Sequence, residues 1–353
     1  MIYSLFFIGA MFFSFLINSI FLRYVKTLGT KNQKGAEIIR WSAETKPAIG
    51  GITFFIVFLL SLVCYSIFFE PEEVFKNQGL LGLLVATLMA FLMGLADDAY
   101  NTRPLLKFLI QVLCSIVLIL TGTSISIFEM SELNYLITVV WVIGIMNSIN
   151  MLDNMDAITT VVAAFILFTA LLTIYITGQY GTVDIMTITG VLAALGGFLF
   201  FNWHPSRMFM GDTGSQFLGL FLAYIGIRYC WNVESIHQEG LPTQQVAIVI
   251  LVFMLPIVDT TVVVVNRILR GQSPFIGGRD HTTHLLSYQG LSDSQVALSF
   301  AGISAISMII AVFILKFVEN WTLWHAALIL AYFLFVFGAM IYLSKINKKK
   351  YVA

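Results

Sequence analysis

The stretch GLLGLLVATLMAFLMGLADD, Gly79 to Asp98, carries no charge until it closes on adjacent carboxylates, Asp97 and Asp98. A bilayer core of roughly 30 Å needs about 20 apolar residues in a helix, and this run supplies them. The rest of the chain is alike: of 353 residues, 59% are hydrophobic and 11% charged, with a mean hydropathy of +0.90. Soluble domains are roughly a quarter charged, so the composition predicts an all-α polytopic membrane protein. Formal net charge is zero, which gives no basis for a nucleic-acid partner.

Working outward, similar apolar runs cover residues 2–22, 48–69, 79–96, 105–122, 134–149, 157–177, 185–201, 213–230, 244–265, 294–315 and 322–344. They predict about eleven transmembrane helices. No repeat period and no long linker divides the chain, so residues 1–353 read as a single integral-membrane domain. Residues 2–22 lack the basic start and small-residue cleavage site of a signal peptide and read as the first helix. With eleven spans, every lysine and arginine except Lys76, Arg228 and Lys316 falls on one side. The positive-inside rule then puts the N-terminus outside and the C-terminus in the cytoplasm.

The acids sort as well. Glu70, Glu72, Glu73, Glu129, Glu132, Glu234, Glu239, Glu319 and the single Asp184 fall outside. Asp97, Asp98, Asp153, Asp156, Asp212, Asp259, Asp280 and Asp293 fall on the cytoplasmic side, with Glu37 and Glu44 in the first loop. Cys64, Cys114 and Cys230 show no metal or disulfide spacing and read as buried free thiols.

Chemistry concentrates in a few motifs. Two carboxylates about 4 Å apart, as Asp97 and Asp98 could be, repel by roughly 1 kcal/mol in water and about 4 kcal/mol near a protein surface. A cation or proton would relieve that, and Lys107 follows early in the fourth run, within reach of an interfacial phosphate. In NSINMLDNMDAITT, Asn147 to Thr160, the residues Asn147, Asn150, Asp153 and Asp156 recur at helical neighbour spacing. All of them would drift around one axis, so the helix is expected to end or bend within the motif. Amide and carboxylate oxygens are hard ligands of the kind Mg²⁺ takes.

In FFNWHPSRMFMGDTGSQFLG, Phe200 to Gly219, Asp212 sits among glycines just before a helix start, where free N–H groups favour an anion. In the ninth run, Asp259 is an ionisable group at membrane depth and hence a functional candidate, unless it is a structural counter-ion of Arg267 or Lys107. The loop that follows holds Arg267, Arg270, Arg279, His281 and His284. Arginine forks match phosphate oxygens, but Arg267 and Arg270 read mainly as positive-inside anchors. The histidines lack a third soft ligand and read as hydrogen-bonding groups. TKPAIGG, Thr45 to Gly51, adds Lys46 at the start of the second run.

KPAIGG, GLADDAYN, NSINMLDNMDAIT, FNWHPSRMFMGDTGS and PIVDT…RGQSPF…RDHTTHLLSYQGLS occur in the order seen in the polyprenyl-phosphate N-acetylhexosamine-1-phosphate transferases. From about Lys46 to Ser292 the chain resembles this family. Its GlcNAc-1-phosphate branch, which starts O-antigen and teichoic acid synthesis, is a better match than the lipid I-forming branch. The resemblance implies a bacterial cytoplasmic-membrane enzyme with its site on the cytoplasmic face. It would transfer N-acetylhexosamine-1-phosphate, GlcNAc favoured, from a UDP-sugar to undecaprenyl phosphate, with Mg²⁺, or Mn²⁺ in its place. It leaves a homodimer open.

By position, Asp97 and Asp98 match paired catalytic aspartates, Asp97 orienting or deprotonating the lipid phosphate, and Lys107 a phosphate contact. Asn150 and Asp212 match the metal ligands, with Asp153 close by. Asp156 matches a nucleoside contact, and Arg279, His281 and His284 the loop that reads sugar and diphosphate. Asn147, Lys46 and Asp259 join the substrate-binding set.

The chain departs from the family pattern at named positions. Asn154 and Ala157 stand where glycines are common, Ile158 for a leucine, Thr283 for a middle histidine and Leu285 for an arginine. Sugar selectivity is what these changes touch. Outside the family, an ion-coupled secondary transporter would place its acids near mid-membrane in related halves, which the sequence does not show. The Asp-Gly-x-x-Ala-Arg signature of CDP-alcohol phosphatidyltransferases is absent.

Overall fold

A computed structural model describes residues 1–24, 46–69, 77–178, 183–233, 242–273 and 278–352, with side chains to Asn347. The basic residues between 25 and 45, Glu37, Glu44, Glu70, Glu72, Glu73, Lys76, Glu234, Glu239 and the stretch 274–277 of the arginine loop lie outside the described residues.

The described elements are helices, in the order α1 Ile2–Tyr24, α2 Gly50–Phe68, α3 Gln78–Tyr100, α4 Pro104–Leu120, α5 Ser131–Leu152, α6 Ile158–Thr177 and α7 Val183–Asn202. There follow α8 Gly211–Gly226 with a π turn at Ile227–Trp231, α9 Pro242–Val252, α10 Met254–Leu269, α11 Thr282–Ser287, α12 Asp293–Phe317 and α13 Leu323–Val352. Each apolar run of the sequence falls on a helix. Eight are long and apolar enough to cross a membrane, or nine if the bent α9–α10 pair is one span; α4 is shorter. The ninth run is therefore not a straight rod: α9 and α10 meet at 78°. Pro256, three residues past the break, has no N–H for the carbonyl of Val252, and its ring crowds that carbonyl.

At the centre stands α8, buried from Thr213 to Gly226. A helix apolar on every side belongs inside a bundle, and α8 packs against α2, α3, α5 and α6. Its N-terminus is reached through glycines. A Cβ on Gly94 would lie 2.3 Å from the Asp212 carbonyl oxygen, and one on Gly51 would lie 2.1 Å from the Gly214 nitrogen. Small residues that let backbones touch are a general device of membrane helix packing. Here they press the Asp97–Asp98 end of α3 and the KPAIGG segment onto the start of α8. Backbone bonds finish the join: Gly50 N donates to Phe209 O at 3.1 Å, Gly51 N to Met210 O at 3.0 Å and Phe209 N to Pro47 O at 3.0 Å.

Deeper in the bundle, Phe55, Phe58, Phe217 and Phe221 stack and cross edges around α8. The outermost helices, α1 and α13, bury little and turn large apolar side chains such as Leu5, Phe12, Leu334 and Phe335 outward, as lipid-facing helices do. Cys114 and Cys230 are buried, Cys64 is half-buried, and all are free thiols.

Candidate active site

The adjacent aspartates of α3 point to different partners, because neighbours on a helix do not face the same way. Asp97 takes the Lys107 ammonium at 2.5 Å, the Thr102 amide at 2.8 Å and the Thr102 hydroxyl at 2.6 Å. Asp98 accepts the backbone N–H groups of Asp212 at 3.0 Å and Thr213 at 2.9 Å, and the Thr213 hydroxyl at 2.7 Å. It thus caps the start of α8 from a neighbouring helix, where unpaired donors and the helix dipole both favour an anion. That use of both oxygens makes Asp98 the group that fixes Asp212 in place.

Asp212 in turn accepts the Asn150 amide at 2.6 Å and lies 3.6 Å from the Lys107 nitrogen, while Asn150 also donates to the Ser215 hydroxyl at 2.8 Å. The helix α5 ends at Leu152, within the Asn147–Asp156 motif as its spacing requires, and Asp153 is the residue just past it. Burial pushes the Asp153 carboxyl up to about 8, helped by the like charges of Asp212, Asp98 and Asp156. The Lys107 ammonium is shared between Asp97 and Asp212.

Mg²⁺ fits such surroundings. The donor set of Asp212, Asp153 and the Asn150 amide is all hard oxygen once the amide turns its oxygen inward, and a divalent ion would relieve the repulsion at Asp153. The tightest three-ligand group among the described residues lies elsewhere: Asp156, His204 and Asp293, with ligand atoms within 4.8 Å of one another. Of its two carboxylates, Asp156 is already satisfied by Ser206 N at 3.0 Å, Ser206 Oγ at 2.7 Å and His204 Nδ1 at 2.9 Å, and Asp293 lies 3.5 Å from the same His204 nitrogen.

Lys46 joins this second group by donating to Ser206 Oγ at 3.3 Å, and its ammonium lies over the Phe209 ring at 5.5 Å from the centroid. Asn147 does not join either group. Its amide donates to Gln111 at 2.8 Å, and Gln111 donates to Gln216 at 3.1 Å, so Asn147 belongs to a polar ladder between α4, α5 and α8. It sits one turn before Asn150, half-buried, with its amide held by Gln111 and by the Ile143 carbonyl at 2.8 Å.

The histidine loop is built from α10. Asp259 is fully buried and accepts His281 Nδ1 at 2.9 Å, Thr282 N at 2.7 Å and Thr282 Oγ1 at 2.6 Å. Its partner is therefore the loop itself, neither Arg267 nor Lys107. Arg267 grips Asp280 through Nε at 3.1 Å and Nη2 at 2.7 Å, and Arg270 pairs with the same carboxylate. These arginines, read from sequence as anchors, are a loop clamp. Burial works against the Asp280 carboxylate, but Arg267 and Arg270 outweigh it and hold its pKa below the ordinary value. His284 is buried edge-on to His281, 5.5 Å between centroids; burial, then the neighbouring His281, lowers its pKa to about 3. Arg279 is exposed beside them, and its carbonyl accepts the Tyr288 hydroxyl at 3.3 Å. The loop meets the acid-bearing turn through Thr283, whose hydroxyl donates to Asn154 Oδ1 at 2.5 Å.

Sequence reasoning missed Thr102, Gln111, His204, Ser206, Phe209, Ser215 and Asp280. His204, Ser206, Phe209, Ser215 and Asp280 lay inside quoted motifs, so their place was visible although their partners were not.

Residues 80–230 match the family described as glycosyl transferase family 4. Over 284 residues the chain is 28% identical to a probable undecaprenyl-phosphate N-acetylglucosaminyl 1-phosphate transferase of Bacillus subtilis, covering 78% of this chain and 75% of that protein. A phospho-N-acetylmuramoyl-pentapeptide-transferase of Streptococcus agalactiae is 30% identical over 53% of this chain and 61% of its own length. A decaprenyl-phosphate N-acetylglucosaminephosphotransferase of Mycobacterium leprae is 27% identical over 71% of this chain and 69% of its own. With motifs in family order and relatives on both branches, these matches support membership of the chain in glycosyl transferase family 4, the polyprenyl-phosphate N-acetylhexosamine-1-phosphate transferases.

Proposed function

We propose that the protein transfers N-acetylhexosamine-1-phosphate, GlcNAc-1-phosphate in the first instance, from a UDP-sugar to undecaprenyl phosphate. A phosphate oxygen of the lipid attacks the β-phosphorus of the donor, the bond to the bridging α–β oxygen breaks, and UMP leaves. The observation that carries this reading is the meeting of Asp97, Asn150, Asp212 and Lys107, from separate helices, in one hydrogen-bonded group. An anion must approach an anion in this reaction, so the site has to supply positive charge at the developing transition state.

Asp97, held by Lys107 and Thr102, orients the lipid phosphate or takes its proton. Lys107 and Arg279 offset phosphate charge. Asn150 and Asp212 would hold Mg²⁺, with Asp153 alongside, and the ion would supply Lewis-acid charge neutralisation there. Asp156 and Lys46, with Ser206 and Phe209, receive the nucleoside. Arg279, His281 and His284 read sugar and diphosphate, Asp259 fixing the tautomer and direction of His281. The greasy outer faces of α3 and α4, such as Leu92, Leu105 and Leu109, suit an isoprenoid tail.

The lysine and arginine asymmetry favours eleven spans, an outside N-terminus and a site at the cytoplasmic face of the bacterial inner membrane. The product would start a cell-envelope polysaccharide such as a teichoic acid or lipopolysaccharide O-antigen. The Streptococcus relative keeps the lipid I-forming reaction as the second reading. Purified protein given labelled UDP-GlcNAc, undecaprenyl phosphate and Mg²⁺ should yield lipid-linked label and UMP. Label only from UDP-MurNAc-pentapeptide supports the second reading, and none from any UDP-sugar ends both.

A further inference from the structure

We infer that Asn154 and Thr283 form a positioning pair that sets the histidine loop against the acid-bearing turn, and so governs use of the sugar nucleotide. The inference rests on the reaction proposed above. Thr283 is fully buried in α11, and its hydroxyl donates to Asn154 Oδ1 at 2.5 Å. The other end of the same amide donates to the Met151 carbonyl in the last turn of α5 at 2.9 Å. The Asn154 side chain is thereby held from both sides, which fixes which atom faces Thr283.

What lies next to each partner gives the bond its meaning. Asn154 follows Asp153 and stands two residues before Asp156, between the charged group and the Ser206–Lys46 group. Thr283 sits between Thr282, tied to Asp259, and His284. Other fastenings of this loop are to different elements: His281 and Thr282 to Asp259 of α10, Asp280 to Arg267 and Arg270, and the Leu285 carbonyl to Asn347 of α13 at 3.5 Å. The Thr283–Asn154 bond runs to the turn that carries Asp153 and Asp156.

The bond joins positions 129 apart in sequence. A glycine at 154 could not accept the bond. The bond spends the Thr283 hydroxyl on the protein rather than on the ligand. Neither side chain needs to contact the donor; they act through Asp153 and His284.

The test compares Thr283→Val, which removes the hydroxyl at similar volume, with Asn154→Ala, their double variant and Thr283→Ser, in the full-length protein. Each single change should lower kcat/KM for UDP-GlcNAc about tenfold, the scale of one buried hydrogen bond, and leave KM for undecaprenyl phosphate within about twofold. The double variant should be no worse than either single one, and Thr283→Ser should restore the wild-type value. Hydrogen exchange in detergent without substrates gives a second readout: both single changes should speed exchange across residues 279–290 to the same extent, and the double variant no further. Losses that multiply to about a hundredfold, a loss shared equally by the lipid substrate, or unchanged exchange would overturn the pair. If wild-type protein transfers nothing from any UDP-sugar, the proposed reaction fails, and the exchange measurement alone decides the coupling.

Discussion

Asp184, packed against the Tyr224 end of α8, and Asp212, in the first turn of α8 itself, are both carboxylates, and they are treated differently. Asp184 is buried and closed: the Tyr229 hydroxyl donates to it at 2.6 Å, the Tyr224 hydroxyl at 3.1 Å, and Arg228 Nε lies at 2.9 Å. The π turn at Ile227–Trp231 makes that possible, since a wider turn brings residues five apart onto one face, as Tyr224 and Tyr229 are here. Charge is balanced and the oxygens are used. Asp212 has Asn150, a share of Lys107 and the like charges of Asp97, Asp98 and Asp153 close by. The closed acid holds helices together. On the proposed reading, the carboxylates gathered at the other end are where a cation and a phosphate-bearing substrate would act.

The largest test of this contrast is Asp212→Asn, which keeps the shape and removes the charge. Transfer should fall by about 10³-fold while the melting temperature in detergent holds or rises, because repulsion is relieved. A clear loss of stability would mean Asp212 is structural, like Asp184. Next, Lys107→Met should cost about 10²-fold in transfer; turnover at the wild-type rate would remove its ammonium from the phosphate path. Asp184→Asn should reverse the balance. It should cost about 2 kcal/mol of stability, less than a fully buried pair because Arg228 is partly exposed, and leave transfer by the folded fraction near wild type, as comparing melts with specific activity would reveal.

The acids' clustering was legible because their spacing is helical and their motifs end apolar runs. Asn150, Asp153 and Asp156 declared a helix end, and α5 stops there. Their partners were not legible. Nothing in the order of residues says that Asp280 occupies Arg267 and Arg270, which look like any cytoplasmic anchor until a carboxylate thirteen residues on folds back to them. Asn147 kept the register of its neighbours, yet the polar ladder through Gln111 and Gln216 depends on which helices touch. The bend between α9 and α10 was masked by hydropathy, which averages over a break that Pro256 alone announces.

Smaller effects sharpen the same contrast. In the histidine loop, His284 has its pKa lowered from 6.5 to about 3 by burial and by His281. A displaced loop binds the proton first, so docking is fully favoured above about pH 6.5 and weakens by about 1.4 kcal/mol per pH unit below it. Asp280 adds nothing in that window: its lowered pKa keeps its contribution above the ordinary carboxylate value, to be lost in stronger acid. Exchange across residues 279–290 should therefore speed up reversibly between pH 7 and 5.5, and a flat profile would contradict the buried neutral imidazole. Smallest is Ala157→Gly. Ala157 has φ +65° with its amide held by Asn202, a left-handed geometry that costs a non-glycine residue roughly 1 kcal/mol, so the glycine variant should melt slightly higher and a lower melt would sink the strain argument.

The central claim, that the charge surplus around Asp212 is a divalent-ion site, is tested most directly by Mn²⁺ binding to the purified protein, followed by electron paramagnetic resonance. One ion per chain should bind in wild type and in Asp184→Asn, compete with Mg²⁺, and be lost in Asp212→Asn. Binding undiminished in Asp212→Asn, or no bound ion in the wild-type protein with or without UDP-GlcNAc, would contradict it.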